Sequence, residues 1–125
     1  MKLQWYVART KPQGEFRVLD AMTKLGVKVF LPLTRTQQMD RSWKTRPLFP
    51  GYIFIRCNLA EHSGPQLSQI PQLLGLVYFG SEIAAITDSM MDRIVHQVDI
   101  VRKLQDPNAT LNIGQKVRVI MGGAD

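Results

Sequence analysis

Cysteine and histidine are almost missing from these 125 residues: Cys57 stands alone, and His62 and His96 are the only histidines. One thiol closes no internal disulfide, and so few thiol and imidazole groups exclude a Cys/His zinc site of standard spacing. Long apolar runs are missing too. The longest, at residues 51–55 and 73–79, are far too short to cross a bilayer as a helix, and no apolar stretch near the start leads into a small-residue cleavage site. The expectation is a soluble, cytoplasmic protein with no membrane role. Acidic residues are scarce in one half only: residues 1–60 hold eleven Lys/Arg against three Asp/Glu, whereas residues 61–125 hold five against seven. The net charge of +6 therefore belongs to the first half, and a field of that sign attracts nucleic acid or an acidic protein surface. What is present is an ordinary globular composition, 45% apolar and 21% charged. A chain of this length is one domain, able to bury roughly two-thirds of its unfolded surface without a covalent or metal staple.

Turn chemistry and hydrophobic periodicity divide the chain. Residues 4–9, rich in strand formers, stop at Thr10-Lys11-Pro12-Gln13-Gly14, a turn-forming cluster. Val18, Leu19, Met22 and Leu25 then recur at helical spacing, and Gly26 sits where a left-handed cap ends a helix. Val27, Val29, Leu31 and Leu33 alternate as a strand, leading to a basic hairpin tip at Asp40-Arg41-Ser42-Trp43-Lys44-Thr45-Arg46. After Pro47-Leu48-Phe49-Pro50-Gly51, residues 52–57 are apolar on both faces, which predicts a central strand. Residues 67–73 read as a short helix broken near Pro71, and Leu76-Val77-Tyr78-Phe79 as a fourth strand closed by Gly80. Met91, Ile94, Val95, Val98 and Val101 then share one helix face. Residues 113–120 read as one more strand, with nothing in the sequence for it to join. The fold class this order predicts is α+β: an antiparallel four-stranded sheet packed with helices, β-α-β-β-α-β-α. No Gly-rich phosphate loop follows any strand, which excludes a Rossmann fold.

Catalysis needs convergent groups, and none is evident. Cys57 reads as a buried structural thiol and His96 as a solvent-facing side chain. Glu82, Asp88, Asp92, Asp99 and Asp106 read as a solvated helix face and its flanks. The expectation is a protein that is not an enzyme and uses no metal or cofactor. The segment around the Pro-Gly bend is different. If Ile53, Ile55 and Cys57 face the helices, strand alternation turns Tyr52, Phe54 and Arg56 outward, giving an apolar patch with basic flanks on which a partner helix can dock.

Four segments together resemble the NusG family of transcription elongation factors: Trp5-Tyr6; Pro47-Leu48-Phe49-Pro50-Gly51-Tyr52-Ile53-Phe54; Leu74-Gly75-Leu76-Val77-Tyr78-Phe79-Gly80; and Ile113-Gly114-Gln115-Lys116-Val117-Arg118-Val119. They occur in the family's order and cover essentially the whole chain. The resemblance implies an N-terminal (NGN) domain over residues 1–105, a linker at 106–112, and at 113–125 the truncated start of a C-terminal KOW domain. It implies a factor that binds the clamp helices of the RNA polymerase β′ subunit and suppresses pausing and termination. It places Phe49, Pro50, Tyr52 and Phe54 at the polymerase, and Arg9, Lys11, Gln13 and Arg17 on the non-template DNA of the elongation complex. Further partners implied for the KOW domain are this chain's own N-terminal domain, the ribosome or Rho. The short hairpin and the Leu-Phe-Pro form resemble specialised, operon-specific members such as RfaH. Where those carry a His-Thr-Thr element, however, this sequence has Ser63-Gly64-Pro65. The alternative reading is a stand-alone basic α+β module that binds nucleic acid through Arg35, Arg41, Lys44 and Arg46, with Trp43 stacking on bases.

Overall fold

The computed structural model describes residues 3–59, 67–105 and 121–122. Its main sheet is antiparallel, with β10 (Met121–Gly122), β2 (Lys28–Phe30), β5 (Tyr52–Cys57), β1 (Gln4–Thr10) and β6 (Leu73–Leu76) in that order and β9 (Ala85–Ile86) also pairing β1. The four strands predicted as the sheet correspond to β2, β5, β1 and β6. The two-residue strands β9 and β10 extend it. β5 lies in the middle, paired with β1 from Gln4↔Cys57 to Arg9↔Tyr52 and with β2 from Lys28↔Arg56 to Phe30↔Phe54. Its two apolar faces follow from that position, because each face of a central strand meets a separate apolar layer.

One layer is α1 (Glu15–Lys24), the other α2 (Asp88–Gln105). Strand alternation sends Tyr6, Ala8, Val29, Ile53, Ile55 and Cys57 toward α1, where Val18 and Met22 complete a buried cluster. It sends Trp5, Phe30 and Phe54 the other way, onto Met91 and Val98 of α2. Each fully buried aliphatic side chain in these layers contributes about 1.5–3 kcal/mol relative to exposure. α1 ends at Gly26, whose φ of +79° suits the left-handed position, with Val27 N–H donating to Met22 O at 3.0 Å.

The two-layer arrangement corrects one expectation. Tyr52, Phe54 and Arg56 do share a face, but α2 packs over Phe54, which is only 8% exposed, while Tyr52 stays open. The fourth strand of the sheet also lies earlier than the residues 76–79 read for it, at residues 73–76. β6 stops at Leu76, and Tyr78–Phe79 form β7, a small ladder with β8 (Glu82–Ile83). Within residues 67–73, read as a helix, only 67 and 68 are helical, and Leu73 already pairs with Thr10 in the sheet. Asp99, read as solvated, is buried at 6% exposure beside Lys103 Nζ, 3.5 Å away.

β3 (Leu33–Gln37) and β4 (Trp43–Pro47) form the basic hairpin as a separate ladder. Paired residues in it share a face, so Arg35 and Trp43 lie diagonally on one side, with the guanidinium 4.9 Å from the ring centre. Lys44 and Arg46 occupy the other. The expected linker at 106–112 and strand at 113–120 lie outside the described residues. Met121 and Gly122 pair with Phe30 and Val29 at the β2 edge, so at these two residues the expectation that the end of the chain has no sheet to join is corrected.

Candidate functional site

The Pro-Gly bend is fixed at four points. Leu48 N–H donates to Pro32 O at 2.8 Å, Tyr52 N–H to Phe49 O at 3.1 Å, and Thr10 N–H to Gly51 O at 2.9 Å. Gly51 N–H donates to Glu15 Oε2 at 2.7 Å. Gly51 adopts φ +86°, a conformation that any side chain would strain. Glu15 is 3% exposed, and this backbone donor satisfies one of its buried carboxyl oxygens. Sequence reading singled out no role for Glu15. Its role in tying α1 to the bend depends on a contact 36 positions away. Glu15→Ala is expected to leave the Gly51 donor unpaired and destabilise the domain by about 1–3 kcal/mol, with the amide resonances of residues 48–52 broadened. A denaturant titration and an amide spectrum check both effects, and unchanged bend resonances would refute the anchoring role.

Held this way, Phe49 projects from the bend at 42% exposure, its ring edge-on to Phe54 with centroids 6.4 Å apart. Leu48 and Phe49 face Ile94, Val98 and Val101 of α2 across an apolar groove of about 470 Å³, with Arg93 and Gln97 on its rim. The four bend residues picked from sequence therefore play different parts. Phe49 lines the groove, and Phe54 supports Phe49 from below. Pro50 is exposed and lines a second groove on the α1 side. Tyr52 is 44% exposed and opposite Arg9 in the β1–β5 register. Sequence reading missed the contribution of α2. Ile94, Val98 and Val101 were visible as one apolar face, but helical periodicity does not separate a stripe packed on the sheet from one left partly open.

Arg9, Lys11, Gln13 and Arg17 are all exposed. Lys11 N–H donates to Gln72 O at 2.8 Å and Gly14 N–H to Lys11 O at 2.9 Å, which fixes the loop between β1 and α1. The loop approaches so closely that a Cβ on Gly14 would stand 2.7 Å from Gln72 Cβ. Gln13 takes φ +63°, unusual for a residue with a side chain. The four do not form a single cluster. Arg9 lies beside Tyr52 on the α2 face of the sheet, whereas Lys11 and Gln13 are in the loop and Arg17 is on α1. Ser63-Gly64-Pro65 lie outside the described residues.

Cys57 is 1% exposed, and burial pushes its thiol up to about 11. It is therefore protonated and unreactive near neutral pH. Among the described residues no group of three or more His, Cys, Asp or Glu side chains is placed to hold a metal ion, and no helix is long and apolar enough to cross a membrane.

The family model NusG, described as transcription termination factor nusG, matches residues 3–95. The chain is similar to the transcription termination/antitermination protein NusG of Rickettsia prowazekii, 25% identical over 133 residues that cover 95% of this chain and 68% of the relative. It is similar to the protein of the same name from Rickettsia typhi, 24% identical with the same coverage of both chains. Among solved structures, one described as "Domain interaction in Thermotoga maritima NusG" superposes with a TM-score of 0.59 at 23% identity. That match covers 80% of this chain and 59% of the solved one, and shares the fold.

Proposed function

Because the chain belongs to the NusG family of transcription termination/antitermination factors, whose members act with the transcription machinery, we propose that it docks on RNA polymerase through the groove between Leu48-Phe49 and α2. The partner is the pair of β′ clamp helices, and the consequence of docking is suppressed pausing and termination, with no catalytic step of its own. The observation that carries this reading is the groove: apolar side chains of a rigidly tied bend and of one helix face, left open to solvent. An amphipathic helix inserts apolar anchors into such a groove. Phe49 is the central anchor contact, Phe54 holds it in place, and Tyr52 and Pro50 border it. On this reading residues 1–105 are the N-terminal domain, 106–112 the linker and 113–125 the beginning of a KOW domain. The chain spans 68% of the length of its Rickettsia relatives and 59% of the solved Thermotoga chain, so what the rest of such a protein recruits is a separate question. The test is a pull-down with purified β′ clamp helices. Retention by the wild-type chain supports docking, and no retention at micromolar concentrations would sink it.

The basic half contributes the second contact. Arg9 extends the polymerase side of the sheet toward DNA, while Lys11, Gln13 and Arg17 meet the non-template strand. Lys11→Ala and Arg17→Ala are each expected to lower crosslinking to that strand in a paused elongation complex and to reduce the salt slope by about one phosphate contact. Clamp-helix retention stays unchanged. If both variants crosslink like the wild type, these side chains are a solvated surface.

The alternative, a stand-alone nucleic-acid module using Arg35, Arg41, Lys44, Arg46 and Trp43, is favoured by the exposure of the hairpin, with Trp43 itself 43% exposed. It requires tight, steeply salt-dependent binding by the isolated chain. Docking on polymerase requires weak free binding and a tight polymerase complex.

A further inference from the structure

Several charges of α2 have a counter-charge beside them within the domain: Asp88 stands 3.8 Å from Arg56, and Asp99 3.5 Å from Lys103. Arg93 is placed differently. It is exposed on the rim of the groove that Leu48, Phe49 and α2 form, and among the described residues no carboxylate lies within ion-pair distance of it. Its neighbours one helical turn away are Ser89, Met90, His96 and Gln97, none of them acidic, so the helix offers it no i,i+3 or i,i+4 partner. Arg93 also opens a row along one side of α2, with Gln97, Val101 and Leu104 following at spacings of four, four and three. Along that row a charge gives way to an amide and then to apolar side chains, Val101 38% and Leu104 77% exposed.

We propose that Arg93 determines the specificity of this groove: the helix docked there presents a carboxylate to the Arg93 guanidinium, and that pair fixes which way the helix lies. The cost of leaving Arg93 alone carries the argument. A helix seated on Ile94, Val98 and Val101 takes water from the rim, and a guanidinium that loses water without gaining a counter-charge weakens binding steeply. A carboxylate answers it with charge-assisted, bidentate hydrogen bonds. Direction follows from the row. Arg93 and Val101 are two turns apart, about 12 Å along the axis, so on a helix lying along α2 the acid is about seven or eight positions from the apolar residue that meets Val101. The same helix laid the other way sets an apolar side chain against Arg93 and its carboxylate near Leu104, a mismatch at both ends. The inference rests on the docking reading above and adds to it the polar residue that sets partner choice and direction.

The test titrates labelled β′ clamp helices with the whole chain at about 0.05 M and about 0.5 M salt, because the higher concentration screens a charge pair at a rim. Arg93→Met keeps the helix propensity and the apolar stem. It is expected to bind about tenfold more weakly than the wild type at low salt, as the loss of a charge-assisted hydrogen bond gives, and the gap closes at high salt. Arg93→Glu is expected to bind about a hundredfold more weakly at low salt, and one acid-to-lysine change in the clamp helices restores its affinity. Both variants melt with the wild type, since the replaced side chain is exposed. If both bind like the wild type while Phe49→Ala binds weakly, Arg93 is a solvated charge, and the proposal is overturned with docking intact. A loss in Arg93→Glu that no acid-to-lysine change restores overturns the carboxylate partner. Failure of the wild type to bind the clamp helices at either salt concentration overturns the docking reading, and the pairing with it.

Discussion

Phe54→Ala is expected to destabilise the domain by roughly 3–5 kcal/mol, lowering the melting temperature by on the order of 15 °C for a domain of this size. The ring is 8% exposed and held between two others, Phe30 at 5.8 Å and Phe49 at 6.4 Å between centroids. Removing it leaves a cavity bounded by aromatic faces and by Met91 and Val98 of α2, stiff neighbours that collapse poorly into the space. Phe54→Leu keeps most of the volume and is expected to recover more than half of the loss. Polymerase association falls in the Ala variant as well, because Phe49 loses its support, so the binding defect follows unfolding. A melt that does not move would place Phe54 outside the core and restore the outward-facing patch that strand alternation predicts.

Phe49→Ala separates binding from folding. The side chain is 42% exposed at the end of a bend whose hydrogen bonds are all made by backbone groups and Glu15. Its truncation is therefore expected to change stability by less than about 1 kcal/mol. Clamp-helix affinity is expected to fall about 30-fold, the equivalent of roughly 2 kcal/mol for the loss of an aromatic anchor at an interface. Val101→Glu, on the opposite wall of the groove, is expected to weaken binding at least as much by placing a charge against an apolar partner. Met90→Ala, exposed in the first turn of α2 and outside the groove, leaves binding unchanged and serves as the control. Titration of labelled clamp helices measures all three. Wild-type affinity in Phe49→Ala and Val101→Glu would move the polymerase site elsewhere on the molecule.

Local chemistry determined much of this protein from its sequence. Gly26 ended α1 because its φ of +79° is unstrained only without a Cβ. β5 was legible as a central strand because Ile53, Phe54 and Ile55 leave it no polar face. The apolar stripe from Met91 to Val101 marked α2, and the eleven Lys/Arg of residues 1–60 marked the first half as the basic one. Periodicity gives the two faces of a strand but not what covers each, so Phe54 read as an outward anchor until α2 was seen packed over it. The same blindness hid the open edge of α2, since Val98 at 4% exposure and Val101 at 38% carry identical side chains on one stripe. Glu15 and Thr10 were invisible as parts of a site, because their surroundings come from Gly51 and the β3–β4 hairpin, dozens of positions away in sequence. Burial and long-range hydrogen bonding depend on which elements meet in space, and only the tertiary structure decided that.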